Sequence, residues 1–361
     1  MKNFSRLTVL LPLLVLGLLG AGCGGSKTAQ GPDGGIWKTV DGGQVWANKK
    51  ALVSGPKITA SVSSFAVLAL ALDPQDHRVV YAATRENGLA YSLDGGDSWQ
   101  QTKVETGKTS LSVGRVNAVL IDPKNTCTVY AASANKIYKT KTCARDWEQV
   151  FFDPRTDKSF TKLAIDWYNP TVLFAGTSDG DIFRSGDAGE HWQTVKRVDG
   201  IAITDMMMDP HDSRTLYVGT QGEGVLKTLD GGMTWVQIKK QFTEQYTDAR
   251  RVIQILVDPV DSKTVYLVSK YGIIKSLDGG DTWNALTLTS PPGSVKINAL
   301  AIDPKNTKNL VYTGVATLQF SNDGGVTWTP KKLPTTQVGT ALVIDPVDSN
   351  VMYLGVVPAA K

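Results

Sequence analysis

"KSLDGGDTW" (275–283) and "KTLDGGMTW" (227–235) share an Asp-Gly-Gly turn closed by a tryptophan five residues after the aspartate. The same spacing pairs Asp41 with Trp46, Asp94 with Trp99, Asp187 with Trp192, Asp230 with Trp235, Asp278 with Trp283 and Asp323 with Trp328. A seventh copy, "KTKTCARDW" (139–147), keeps Trp147 but has Thr142 at the aspartate position and no glycine. Seven copies exclude chance. In such a turn the aspartate accepts hydrogen bonds from nearby backbone N–H groups, the glycines supply positive φ, and the tryptophan buries about 150–250 Å².

A second motif interleaves with the first. It is an apolar run closed by aspartate, usually Asp-Pro, with an aromatic eight or nine residues later: Asp73 with Tyr81, Asp122 with Tyr130, Asp166 with Phe174, Asp209 with Tyr217, Asp258 with Tyr266, Asp303 with Tyr312, Asp345 with Tyr353. One unit therefore reads as apolar strand, Asp-Pro turn, strand, short turn, strand, Asp-Gly-Gly turn and a last strand beginning at the tryptophan. Four short strands recurring every 42 to 49 residues describe a propeller blade.

The ends of the chain complete one another. The first tryptophan hairpin, "GGIWKTVDGGQVW", has no Asp-Pro unit before it, and the last Asp-Pro unit, "ALVIDPVDSNVMYLG", has no hairpin after it. Joined as outer and inner halves of one blade, they close a ring of seven blades. A linear solenoid would instead carry polar caps at both ends. The expected fold is thus an all-β, seven-bladed propeller of four-stranded antiparallel blades over residues 36–361.

The hairpin resembles the Asp-box, or BNR repeat, of sialidases, sortilin-like propellers, xyloglucanase-type glycoside hydrolases and photosystem II assembly factor-like proteins. That resemblance spans nearly the whole mature chain and implies the propeller architecture. Enzymes and non-enzymes share it, so it names no reaction. A turn residue repeated in every blade has a structural task in every blade, so these aspartates and tryptophans are read as structural. His77, His191 and His211 also occupy repeat positions. No zinc spacing, phosphate loop or nucleophile elbow is present, and no metal or cofactor is implied. The sialidase "RIP" segment is missing, and xyloglucanase-type enzymes use two tandem propellers where this chain has material for one.

Residues 1–22 read as a signal peptide: Lys2 and Arg6 precede an apolar run, Leu7 to Leu19, that ends in small residues. "LLGAGC" resembles a bacterial lipobox, which implies lipidation of Cys23 and attachment to the outer side of a bacterial membrane. Residues 23–35, rich in glycine and polar residues, are expected to form a flexible tether. Loss of the leader lowers the net charge from +4 to +2, an imbalance that implies no nucleic-acid partner.

Connections in a propeller alternate between two faces. The Asp-Gly-Gly and Asp-Pro turns share one; the interblade links and strand 2–3 turns share the other, where length varies most. The longest links, "ANKKALVSGPK" (47–57), "QQTKVETGKTSLSVGR" (100–115) and "VQIKKQFTEQYTDARR" (236–251), are basic or aromatic. Long loops on a rigid ring carry binding, and arginine and tyrosine are favoured anchors. Arg85, Arg115, Tyr246, Arg250, Arg251 and Tyr271 are accordingly the candidate partner-binding residues.

The leading functional expectation is a non-enzymatic, lipid-tethered scaffold that engages an envelope or membrane protein through this face. The alternative is a glycan-binding or glycan-cleaving propeller. Cleavage needs two carboxylates at a defined separation. The non-repeat acids of this face, Glu86, Glu105, Asp179, Asp181, Glu223 and Glu244, are not placed in pairs by the sequence.

Two cysteines remain beside Cys23. "TCTVYAAS" and "KIYKTKTC" read as strands 2 and 3 of the blade with the altered turn. Folding about Ala134 and Asn135 sets residue 127 opposite 142 or 143, so Cys127 and Cys143 are expected to pair, in an oxidising compartment.

Overall fold

A computed structural model describes residues 33–54, 57–102, 111–238 and 244–358. The expected signal peptide, Cys23, the expected tether up to residue 32 and Glu105 lie outside the described residues.

Seven four-stranded antiparallel sheets form the ring expected from the repeats. We number the blades along the chain, with inner strands beginning at Val67, Ala118, Phe160, Ile203, Val252, Leu300 and Val338. Blade 7 is composite. Its inner strands Val338–Ile344 and Met352–Val357 pair with Gly35–Thr39, which pairs in turn with Ala47–Asn48. Register fixes the seam, with Trp37 opposite Leu354 and Lys38 opposite Tyr353.

Burial explains why the second strands read as continuous apolar runs. Val80–Thr84, Leu173–Thr177 and Val265–Ser269 are buried at every position, because neighbouring blades cover both faces. The core consequently lies between blades. Tyr81 and Leu89 of blade 1, for example, pack with Val129, Ala131 and Trp147 of blade 2.

The Asp-Gly-Gly turn of blade 5 shows the local logic. Asp278 Oδ1 accepts the N–H groups of Asp281 (3.1 Å) and Thr282 (2.8 Å) and the Ser276 hydroxyl (2.7 Å), while Oδ2 accepts the Thr282 hydroxyl (2.6 Å). Gly279 and Gly280 sit at φ 73° and 95°. Trp283 folds back and donates from Nε1 to the Gly280 carbonyl (3.0 Å). Gly279 N–H reaches the Lys263 carbonyl beside the Asp-Pro turn (2.8 Å), so the two turn types share one face.

That face is also laced between blades. The buried carboxylates of Asp166, Asp209 and Asp303 accept hydroxyls from Ser213, Ser262 and Ser349 of the next blade at 2.7 to 2.9 Å. At the closing seam His77 Nδ1 takes the same position, 2.7 Å from Asp345. All three histidines are thereby absorbed into the repeat architecture, His191 through Asp187 and His211 through the Pro259 carbonyl.

Cys127 and Cys143 form the expected disulfide. Two details were not expected. The 47–57 link contributes to a hairpin, Ala51–Ser54 with Lys57–Ser61, which lies along the outer strand of blade 1 through Val53 N–H to Trp99 O and Trp99 N–H to Ala51 O, both 2.8 Å. Residues 33–35, read as the end of the tether, belong to the ring. Gly35 opens a strand, and Asp33 is held by Thr335, Thr336 and Gln337.

Candidate functional site

The loop-rich face divides the six candidate residues into two groups. Tyr246, Arg250, Arg251 and Tyr271 come together where blade 4 meets blade 5. A 3-10 turn, Thr247–Arg250, carries the first part of this group. It is fastened at both sides: Gly224 N–H donates to Arg250 O, and Lys270 N–H donates to Arg251 O, each at 3.1 Å. Tyr246 meets Tyr271 edge to face with ring centroids 5.0 Å apart. Lys270 Nζ lies 3.1 Å from Asp248 on the rim of the group.

Beside Tyr271 opens a cavity of about 480 Å³, whose apolar wall is formed by Ile273, Leu286, Leu288 and Pro291. The link 286–293, "LTLTSPPG", supplies much of it and was not singled out in the sequence. Its signal is an alternation of leucine and threonine running into two prolines. After Ala285 the outer strand stops, and Leu286 retains one backbone bond, to Ile273 O.

Arg85 and Arg115 form the second group, at the blade 1–blade 2 link. Gly114 N–H bonds to Glu86 O and Gly88 N–H to Gly114 O, which brings the two turns side by side. Gly88 has no room for a side chain, since a Cβ there would lie 1.8 Å from Leu111 O. Among the described residues no carboxylate lies within ion-pair distance of Arg85, Arg115, Arg250 or Arg251.

The acids behave differently. Asp179 and Asp181, on one turn of blade 3, converge with Asp153 on Arg155, whose guanidinium reaches Asp179 at 2.9 Å and Asp181 at 2.6 Å and also binds Asp153. Arg197 pairs with Asp181 from the outer strand. The bond from Arg155 holds Asp153 below the usual carboxylate range. Burial would raise Asp181, but the bonds from Arg197 and Arg155 outweigh it and lower that group too. Carboxylates held ionised by arginine make a structural node and lack the proton that a general acid must deliver. Asp153, Arg155 and Arg197 were missed in the sequence because nothing in the repeat marks them. Glu223 accepts from Gln237 Nε2 at 2.8 Å, and Glu244 is exposed. The geometry of this face thus favours recognition by arginine, tyrosine and an apolar recess.

Comparison with known proteins places the architecture. The chain is similar in fold to the GH74 xyloglucanase of Xanthomonas campestris, with 18% identity, 81% of this chain and 51% of that chain covered, and a TM-score of 0.63. It is a seven-bladed propeller. It is equally similar to YCF48 bound to D1 peptide, with 18% identity, 82% and 94% coverage and a TM-score of 0.62. YCF48 from Cyanidioschyzon merolae gives 12% identity, 81% and 96% coverage and a TM-score of 0.62. The propeller therefore spans about half of the GH74 chain and nearly all of the YCF48 chains. At these identities the likeness is one of fold. No protein-family model and no curated protein matches the chain.

Proposed function

We propose that this protein is a non-enzymatic Asp-box propeller, exported and held by lipid at Cys23, that binds an envelope or membrane protein through its loop-rich face. The observation that carries this reading is the edge-to-face pair of Tyr246 and Tyr271, with Arg250 and Arg251 held on the adjoining turn by backbone bonds, next to the 480 Å³ recess that Tyr271 lines. Aromatic and arginine side chains around an apolar recess are the usual composition of an interface anchor. The Cys127–Cys143 bridge supports an oxidising compartment. YCF48, a propeller of similar extent, has been captured with a peptide, which supports a polypeptide ligand.

The glycan-directed alternative draws support from the GH74 fold likeness. With Asp179 and Asp181 locked to Arg155 it favours binding over cleavage.

The test is capture from native envelopes with the lipidated protein and with a Tyr246→Ala/Arg250→Glu/Arg251→Glu variant. Loss of the captured protein from the variant, with thermal stability unchanged, is expected. Retention of every partner by the variant, or turnover in a polysaccharide screen, would refute the reading.

A further inference from the structure

Blade 6 departs from the register of its neighbours. Val311 stands opposite Phe320, where Tyr130 faces Lys139, Tyr217 faces Lys227 and Tyr353 faces Lys38. The aromatic of this Asp-Pro unit, Tyr312, comes one residue later. Successive strand residues point to opposite faces, so its ring turns away from blade 7 and meets Trp328 edge to face, with centroids 4.7 Å apart.

The other junctions show what the aromatic does when it is in register. Ala188 O accepts both the Tyr130 hydroxyl (3.0 Å) and Lys139 Nζ (2.7 Å), and Gly279 O accepts both the Tyr217 hydroxyl (2.8 Å) and Lys227 Nζ (2.7 Å). A phenol and an ammonium thus share the two lone pairs of one turn carbonyl. Between blades 6 and 7 the equivalent carbonyl is that of Gly42. Lys331 Nζ, lying 4.4 Å from the centre of the Phe320 ring, supplies the ammonium at 3.0 Å. Among the described residues no hydroxyl joins it.

Phe320 makes up for part of the change. Its ring takes the contact with the second turn glycine, since a Cβ on Gly43 would lie 2.6 Å from it, much as one on Gly96 would lie 2.9 Å from the Tyr353 ring. It brings no hydroxyl, and it does not fill the space that valine leaves. A cavity of about 280 Å³ opens there on the Asp-Gly-Gly face, lined by Gly42 and by an apolar wall of Val311, Phe320, Ile344 and Met352.

We propose that this cavity is a binding site for a phenolic ring, whose hydroxyl donates to Gly42 O as Tyr353 donates to Gly95 O (2.8 Å) and whose ring lies against Val311 and Met352. The chemistry is the same whether the phenol is a free small molecule or a tyrosine side chain of another polypeptide. Other ligand classes fit less well. The buried carboxylate of Asp303 lines the cavity and repels anions. Its oxygens already accept from Lys305 N–H (2.9 Å), the Ser349 hydroxyl (2.9 Å) and Asn309 Nδ2 (3.0 Å), so they offer no open seat to a cation. The Ser321 and Thr327 hydroxyls are likewise given to Asp323, and Asn350 Nδ2 to Asp348. A polyol would therefore find most of the polar lining engaged and an apolar wall behind it.

The experiment titrates the full chain with 4-methylphenol, toluene and methyl glucoside, compared at equal free concentration, and follows the methyl signals of Val311 and Met352 by NMR. Saturable shifts with 4-methylphenol are expected, with toluene about fivefold weaker for want of one hydrogen bond. No saturable shift, equal affinity for toluene, or stronger binding of methyl glucoside overturns the proposal. Val311→Tyr restores the register of the other blades, and it should abolish binding at Met352 and raise the midpoint of thermal unfolding. Val311→Leu is the milder filling, suited to a ring that does not tolerate tyrosine, and should weaken binding several-fold. Binding unchanged in both variants would place the ligand elsewhere and overturn the site. N-acetyltyrosine methylamide then separates the two sources. Tighter binding than 4-methylphenol in competition assigns a tyrosine of a partner chain; weaker binding assigns a free phenol.

Discussion

Blades 2 and 5 build the same turn with different chemistry. In blade 5 a carboxylate gathers two N–H groups and two hydroxyls around Asp278. In blade 2 Thr142 stands at that position and its hydroxyl accepts one N–H, from Asp146 at 2.9 Å. The backbone nevertheless follows the same path: Cys143 and Ala144 lie at φ 53° and 66° where Gly279 and Gly280 lie at 73° and 95°. Left-handed conformations cost non-glycine residues roughly 1–2 kcal/mol each. The bridge to Cys127 joins the points that blade 5 connects by the Gly279–Lys263 hydrogen bond, and blade 2 retains that bond as Cys143 N–H to Cys127 O at 3.2 Å. Turn geometry in this ring is therefore the invariant, and the aspartate is one of two ways to hold it.

The largest test asks whether the two turns do the same hydrophobic work. Trp283 is 1% exposed and Trp147 7%, and each donates Nε1 to its own turn. Trp283→Ala and Trp147→Ala are each expected to cost about 3–5 kcal/mol in urea unfolding. A neutral Trp147→Ala would break the equivalence, leaving blade 2 with a staple and no closing side chain.

Next in size is the staple. The bridge spans 16 residues, and the chain-entropy account assigns a loop of this length about 3 kcal/mol. The Cys127→Ser/Cys143→Ser variant should lose about that much, as should the wild type under reductant. Wild-type stability that does not respond to reductant would show that Thr142 and the packing of Trp147 hold the turn unaided.

A third difference lies at the junctions. Tyr130, Tyr217 and Tyr353 donate their hydroxyls to the second residue of the next blade's turn, at Ala188, Gly279 and Gly95. Tyr81, which faces the turn of blade 2, makes no such bond among the described residues, and a cavity of about 540 Å³ opens there between Tyr91, Gln100 and Cys143. Tyr217→Phe should cost about 1 kcal/mol, the net worth of one hydrogen bond, and Tyr81→Phe close to nothing. Equal losses would mean that the altered turn carries a latch after all.

These contrasts also measure what the sequence exposes. The ring, its closure and the Cys127–Cys143 pairing were legible because each rests on a residue type at a repeated spacing, and repetition converts weak local preferences into a register. The node around Arg155 was not legible, because Asp153, Asp179 and Asp181 are brought together by the link between blades 2 and 3, which has no counterpart in the other blades. The hairpin within 47–61 was hidden for a similar reason. Its strands are short, and it is stabilised by lying against Trp99 of another blade. Of the candidate binding face, sequence supplied Tyr246, Arg250, Arg251 and Tyr271 individually. Their convergence required the tie between Gly224 and Arg250, a backbone contact that side-chain identity does not encode.

The smallest effect separates the two turn chemistries by pH. The Thr234 and Thr282 side-chain hydrogen bonds, followed by their backbone N–H groups, lower Asp230 and Asp278 from 3.8 to about 2. A carboxylate whose folded pKa is depressed contributes stability that is complete above its unfolded pKa, near 4, and is lost as pH falls through 2. These groups lie at the surface, so solvent screening keeps the contribution small, and the change should be local rather than global. Amide exchange at Thr234 and Thr282, corrected for intrinsic rates, should therefore accelerate between pH 4 and pH 2. The Asp146 amide, bound to the neutral hydroxyl of Thr142, should keep its protection over the same range. Parallel loss at all three amides would show that acid opens the whole Asp-Gly-Gly face at once, and that turn chemistry does not set local stability in this ring.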